Sequence, residues 1–307
     1  MTTAFVFPGQ GAQHPGMLGA LPDSAATRSV LGEAVQVLGP IEVLDTASSL
    51  ASTTNAQLAL LICGVAAART LTDDYGLRVD VVAGHSVGAF AAAVTAGVLT
   101  VAEAIEAVQV RGEHMTRACP PRQWGMAAVT GLRRRAVADI VAAVTEDGAE
   151  LWIANVNAAD QLVLGGTVAA LDVAREAARH AGARRFERLD VAVASHGPVQ
   201  RSTEMAVRER LSVIPPRPQR VDYLANVGAR RIRDDAMAVI ADLSEAVSKA
   251  VRWYDISLLM PEIGVARVIE LPPGHVLSKL IAATDTDVET HSVADEGVAR
   301  VAARARR

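Results

Sequence analysis

Gly84-His85-Ser86-Val87-Gly88 is the segment that most narrows what this chain can fold into. It stands between a β-branched run, Val79 to Ala83, and an alanine-rich stretch, Ala89 to Ala96, that reads as a helix closed by Gly97. A strand that enters a helix through G-x-S-x-G is a nucleophile elbow. Its two glycines permit a strained turn that lifts the serine hydroxyl off the sheet, and the helix N-terminus offers backbone N–H donors to an oxyanion. Ser86 is therefore a nucleophile candidate, set against the plainer reading of a glycine-rich turn with a capping serine. Only 3% of the chain is aromatic, so alanine and branched aliphatics must fill the core, and small side chains favour close packing of helix on sheet. The expected class is α/β.

The remaining elements agree with that class. Thr3 to Phe7 reads as a short buried strand that ends at Pro8, Gly9 and Gly11; Gln57 to Leu71 as a helix apolar almost all round; Val101 to Ala118 as an amphipathic helix stopped before Pro120-Pro121. From Gly125 the pattern changes. Strand Met126 to Thr130, helix Arg134 to Thr145, strands near Trp152 to Asn155 and Gln161 to Leu164, helix Val168 to His180 and strand Arg185 to Val193 give the order β-α-β-β-α-β. That order is the ferredoxin-like arrangement, so residues 123–193 are expected to form a small domain inserted between two parts, 1–122 and 194–307, of a large α/β domain with a parallel sheet. The arginine-rich end, Val298 to Arg307, reads as a frayed or solvated terminus.

Composition excludes several functions. Thirty lysines and arginines against 34 aspartates and glutamates leave a net charge of −4, which provides no field for nucleic acid. Met1 to Pro8 has no basic n-region, and no stretch approaches the roughly 18 consecutive apolar residues of a membrane span. Cys63 and Cys119 form no CxxC and no disulfide framework, which suits a reducing cytoplasm. Neither HExxH nor paired cysteines are present, so zinc is not expected.

A serine nucleophile needs a base, and seven histidines compete for the role. His196 follows the apolar run Val191 to Ala194 and precedes Gly197-Pro198, which places it at a strand end, where catalytic side chains of an open α/β sheet converge. His85 should point to the other side of the elbow, and His275 lies in a glycine and proline loop. Asp190 would stand about 20 Å from His196 along an extended strand, too far to orient the imidazole, which leaves a backbone carbonyl for that task. The second glycine-rich turn, Phe7 to Gln13, carries His14 where a dinucleotide fingerprint needs its third glycine. Beside the elbow it offers instead a backbone N–H or an amide to an oxyanion.

Together these segments resemble the malonyl-CoA:acyl-carrier-protein transacylase family, along almost the whole chain. The resemblance rests on Phe7-Pro8-Gly9-Gln10-Gly11, the elbow, Arg111-Gly112, Gly125-Met126-Ala127, Asn155-Val156-Asn157 with Gln161, and Ser195-His196. Within the family, Ala51-Ser52-Thr53, the helix Gln57 to Arg69, Val251-Arg252-Trp253 and Pro272 to Leu277 look most like the malonate decarboxylase epsilon subunit. Ala89 and Phe90 depart from the glutamate many members carry after the second elbow glycine, and Pro198 and Val199 also differ from the commonest pattern.

The resemblance implies a hydrolase-like large domain and a ferredoxin-like small one. It makes Ser86 the nucleophile, His196 its base, and the backbone N–H groups of Gln10 and Val87 the oxyanion hole. Arg111 would bind the free carboxylate of the malonyl group, and the main-chain carbonyl of Arg252 would orient the histidine. The implied reaction is ping-pong transfer of malonyl from malonyl-CoA, through a malonyl-serine, to the prosthetic-group thiol of an acyl carrier protein, with no metal or tightly bound cofactor. The first expectation for the setting is malonate decarboxylase, whose carrier bears a dephospho-CoA-derived group; the alternative is fatty acid or polyketide synthesis. A serine thioesterase or other hydrolase, and a non-catalytic subunit that docks a carrier protein, are the readings from other classes.

Overall fold

The computed structural model describes all residues except 147, 285 and 307. Its strands, numbered in chain order, fall into two sheets. The first joins β1 (Thr2–Phe7), β2 (Val81–Gly84), β7 (Asp222–Leu224), β8 (Arg231–Ile232), β9 (Val265–Glu270) and β10 (Glu289–Ser292) in the order β10-β9-β1-β2-β7-β8. Every neighbouring pair is parallel except the β7-β8 hairpin. Strands covered on both faces read as continuous apolar runs, and β1 and β2 are buried along nearly their whole length.

Small side chains bring the helices close. Gly64 on the helix Thr53–Arg69 lies where an added Cβ would be 3.0 Å from the Phe7 ring. That helix begins earlier than the apolar run suggests, because Ser52 caps it, and it continues into a π turn, Thr70–Asp74. Over Thr53–Asp74 it is long and apolar enough to cross a membrane, contrary to the expectation that no such stretch exists. Here 83% of its most apolar window is buried inside the protein, as in the core helix of a globular fold.

The second sheet comprises β3 (Trp124–Thr130), β4 (Leu151–Ala158), β5 (Gln161–Thr167) and β6 (Arg185–Arg188) in the order β4-β5-β3-β6, with all neighbours antiparallel. Helices Arg134–Thr145 and Val168–His180 share its core through Val137, Ile140, Leu171 and Ala174. The chain order is β-α-β-β-α-β, with both helices at the expected bounds. β6 ends at Arg188 rather than reaching Val193, and residues 189–195 leave the sheet. Among the described residues an isolated β-bridge ties this sheet to the rest of the fold: Val156 N donates to Val251 O at 2.9 Å, and Val251 N to Ala154 O at 3.0 Å.

Residues 298–305 are not frayed, while Arg307, also in that expectation, lies outside the described residues. Val298–Ala305 is a helix that buries Val301 and Ala302, and Arg267, itself buried on β9, donates to Ala305 O at 2.7 Å. Arginines on one side of an amphipathic helix face solvent while its alanines and valines dock.

Candidate active site

The elbow follows β2 at the carboxyl end of the parallel sheet, beside the turn that follows β1. Its glycines are fixed by contact. An added Cβ on Gly84 would lie 2.1 Å from the Gly88 carbonyl carbon, and one on Gly88 would lie 2.2 Å from Phe7 O. Between them Ser86 adopts φ 55°, a left-handed conformation that costs an ordinary residue about 1–2 kcal/mol. Asn226, fully buried just beyond β7, braces the turn: Ser86 N donates to Asn226 Oδ1 at 3.0 Å, and Asn226 Nδ2 donates to Gly84 O at 2.8 Å. Buried Asp242 in turn accepts from Asn226 N, Val227 N and the Tyr223 hydroxyl.

The structure brings His196 to this serine across 110 residues of sequence. Ser86 Oγ donates to His196 Nε2 at 2.8 Å, and His196 Nδ1 donates to Ala246 O at 2.5 Å. The carbonyl fixes the tautomer, since a proton on Nδ1 leaves Nε2 free to accept. His196 also adopts a left-handed backbone, φ 58°, and its amide donates to Val247 O at 2.8 Å. A backbone carbonyl thus replaces the acid of a triad, as expected, but it belongs to Ala246 and not to Arg252. Arg252 instead precedes the helix Trp253–Glu262, with its amide on Asn226 O and its side chain on Asp255. The carbonyl comes from the preceding turn because helix Ala236–Glu245 ends beside the imidazole. Asp190 is exposed and takes no part. Burial, and then the positive charge of Arg111, push the His196 imidazole down to about 3, so it is neutral at pH 7.

Arg111 is only 2% exposed. Its Nη2 donates to Ser86 Oγ at 3.0 Å and its Nη1 to Gln57 Oε1 at 2.5 Å, while Gln57 Nε2 donates to Gln10 Oε1 at 3.0 Å. Burial pushes its guanidinium down to about 10, which leaves it charged at neutral pH. Among the described residues no carboxylate pairs with it. Gln57 and Asn226, which contact Arg111 and the elbow, are positions that sequence reading missed. The sole signal for Gln57 was a polar residue in an otherwise apolar helix, and for Asn226 there was none.

A cleft of about 140 Å³ opens over Ser86 and His196. It is lined by Gln10 and His85 beside the elbow, by Met126 and Val163 of the second sheet, and by Val191 and Val193. His85 Nε2 donates to Asn157 Oδ1 at 3.1 Å, linking the elbow to β4, and burial holds its imidazole below the ordinary value. Among the described residues, neither the Gln10 nor the Val87 amide donates to a protein acceptor, so both are available to a substrate oxygen. His275 is half-exposed beside Asp295, away from the cleft. No group of three or more potential metal ligands occurs among the described residues.

A serine–histidine pair on an α/β elbow, with a charged guanidinium beside the hydroxyl, is an arrangement suited to acyl transfer. The chain belongs to the acyl transferase domain family, whose model matches residues 4–307, and it is an acyltransferase. It is 33% identical over 302 residues to the malonyl CoA-acyl carrier protein transacylase of Bacillus subtilis (strain 168), covering 95% of this chain and 93% of that one. The structure of the malonyl CoA-acyl carrier protein transacylase of Coxiella burnetii superposes with a TM-score of 0.93 at 29% identity, covering 100% of this chain and 98% of that one. A malonyl-transacylase solved in complex with its type II PKS acyl-carrier protein superposes at 0.92 with 30% identity, covering 98% of this chain and 99% of that one.

Proposed function

We propose that this protein transfers a malonyl group from malonyl-CoA to the pantetheine thiol of an acyl carrier protein. The observation that carries the reading is Arg111: a buried, charged guanidinium that touches the nucleophile and, among the described residues, pairs with no carboxylate. A buried charge left unpaired is costly, and a substrate's second carboxylate, held by two parallel N–H···O bonds, supplies the partner.

In the first half-reaction His196 Nε2 takes the Ser86 proton as Oγ attacks the thioester carbon, and the amides of Val87 and Gln10 receive the oxyanion. The tetrahedral intermediate collapses, the C–S bond breaks, and CoA leaves as the thiol with the proton from His196. The carrier thiol then gives its proton to His196 and attacks the malonyl-serine ester, and Ser86 leaves reprotonated. Residues 123–193 act as a ferredoxin-like domain that roofs the cleft, with residues 1–122 and 194–307 as the large domain; the strand order and the two helices on one side support this division.

The relatives named above are carrier-protein transacylases, which favours an acyl carrier protein of fatty acid or polyketide synthesis over a malonate decarboxylase setting. The segments that pointed to the decarboxylase subunit serve the fold. Ser52 caps a helix, Val251 pairs with Asn155 at the edge of the second sheet, and Gly274 packs where a Cβ would meet Glu270 and Pro8. Residues kept for packing do not discriminate one carrier from another.

Intact-protein mass after brief mixing with malonyl-CoA, with Ser86→Ala alongside, tests the reading. A malonyl adduct on the wild type alone, discharged by a holo acyl carrier protein, is expected. Free malonate accumulating without an acceptor thiol would make the protein a hydrolase. Carrier binding with no adduct would make it a docking subunit, and discharge only by a dephospho-CoA-type carrier would restore the decarboxylase setting.

A further inference from the structure

The residue before the base is held from the second sheet. Trp152 Nε1 on β4 donates to Ser195 O at 3.0 Å, and Ser195 Oγ donates to Met126 Sδ on β3 at 3.3 Å. The indole lies across two glycines: a Cβ on Gly197 would fall 2.1 Å from Trp152 Cε2, and one on Gly165 2.7 Å from its Nε1. His196 is gripped from the other side, its amide on Val247 O and its Nδ1 on Ala246 O. The left-handed turn that aims the imidazole at Ser86 is thus suspended between the second sheet and the turn that ends helix Ala236–Glu245. A side chain so strained at its backbone persists only when its surroundings over-determine it.

We infer that Trp152 is a positioning residue for the catalytic base, setting the His196 turn through the Ser195 carbonyl. The inference rests on the Ser86–His196 reading and adds that the second sheet, besides roofing the cleft, aims the base. Trp152 touches no reacting atom. Without its N–H the Ser195 peptide has one fewer restraint, and Nε2 spends less time within reach of Oγ.

The test is Trp152→Phe, which keeps an aromatic ring over Gly197 and Gly165 and removes the donor. Trp124→Phe, the neighbouring indole at 6.0 Å with no bond to Ser195, is the control for aromatic packing. The expected result is a roughly tenfold slower formation of malonyl-Ser86, equal to the loss of one hydrogen bond. KM for malonyl-CoA should stay unchanged and Trp124→Phe should keep the wild-type rate. A second readout needs no malonyl group: reaction of Ser86 Oγ with a sulfonyl fluoride, in which the O–S bond forms, fluoride leaves and His196 takes the proton. It should slow by the same factor. Equal rates for wild type and Trp152→Phe, or the same loss in both variants, would overturn the inference. Slowing toward the sulfonyl fluoride in a protein that takes no malonyl group would sustain the positioning role and sink the malonyl reading. A wild type inert to both reagents would overturn the two together.

Discussion

Arg111 Nη2 and Ser86 Oγ are 3.0 Å apart, so the guanidinium holds the serine hydroxyl directly. On the proposed reading a malonyl group draws it away, its free carboxylate offering two charge-assisted bonds in place of one to a neutral hydroxyl. At about 1.5–3 kcal/mol for each such bond, Arg111→Ala should lower malonyl-serine formation on the order of 10²-fold or more. Acetyl transfer, which has no second carboxylate to lose, should change little. Equal losses for malonyl-CoA and acetyl-CoA in single-turnover measurements would remove Arg111 from the carboxylate role.

His196 gives the site a particular pH dependence. Its folded value is pushed down to about 3 from an ordinary 6.5, chiefly by burial and then by Arg111. The acid limb of kcat/KM, which reports the free enzyme, should therefore lie well below pH 6, and Arg111→Ala should move it upward. A malonyl carboxylate paired with Arg111 cancels that charge, so the limb in kcat should stand higher than the limb in kcat/KM. An acid limb near 6.5 in kcat/KM would contradict the buried, neutral imidazole. Stability follows the same sign. The unfolded chain binds this proton below about 6.5 while the folded one refuses it down to about 3, so the contribution is complete above 6.5 and is lost as the pH falls through that window.

Three glycines should respond to alanine in different ways. Gly88→Ala drives a Cβ to within 2.2 Å of Phe7 O and 2.7 Å of Pro8 O, backbone atoms that cannot step aside, and should cost about 3 kcal/mol or more. Gly11→Ala meets no atom within 4 Å but sits at φ 104°, so it carries only conformational strain, about 1–2 kcal/mol. Gly32, inside the helix Ala25–Leu38 and also unobstructed, should stabilise the protein by about 0.5–1 kcal/mol when changed to alanine. Urea unfolding of the three variants measures the order directly; a Gly88→Ala protein as stable as Gly32→Ala would refute the packing of the elbow against β1.

The elbow, the base and the guanidinium were legible in sequence because each is a side-chain type at a local signal: G-x-S-x-G after a strand, a histidine at a strand end, an arginine beside a glycine on an amphipathic helix. The partner of His196 Nδ1 was not, because a carbonyl carries no residue signature, and placing it by position six residues too far along put it at Arg252 instead of Ala246. Asn226 was invisible for another reason. Its amide meets Gly84 and Ser86 only after β7 pairs with β2, a contact 140 residues long in the chain. Residues 189–193 looked like a continuation of β6, since an apolar cleft lining and a buried strand have the same composition.

β1 has β2 on one side and β9 on the other, with Ala4 opposite both Val81 and Val268. β1 must therefore wait for β9, made long after it, while the second sheet draws all its strands from residues 124–188 and can close as soon as they emerge. Synthesis should pass through a stage in which the roof of the cleft is finished and its floor is still open. Nascent chains arrested near residue 250 and probed with protease should show the segment 124–188 protected and the elbow cut. Protection of both at that length would mean that β1 and β2 hold without β9.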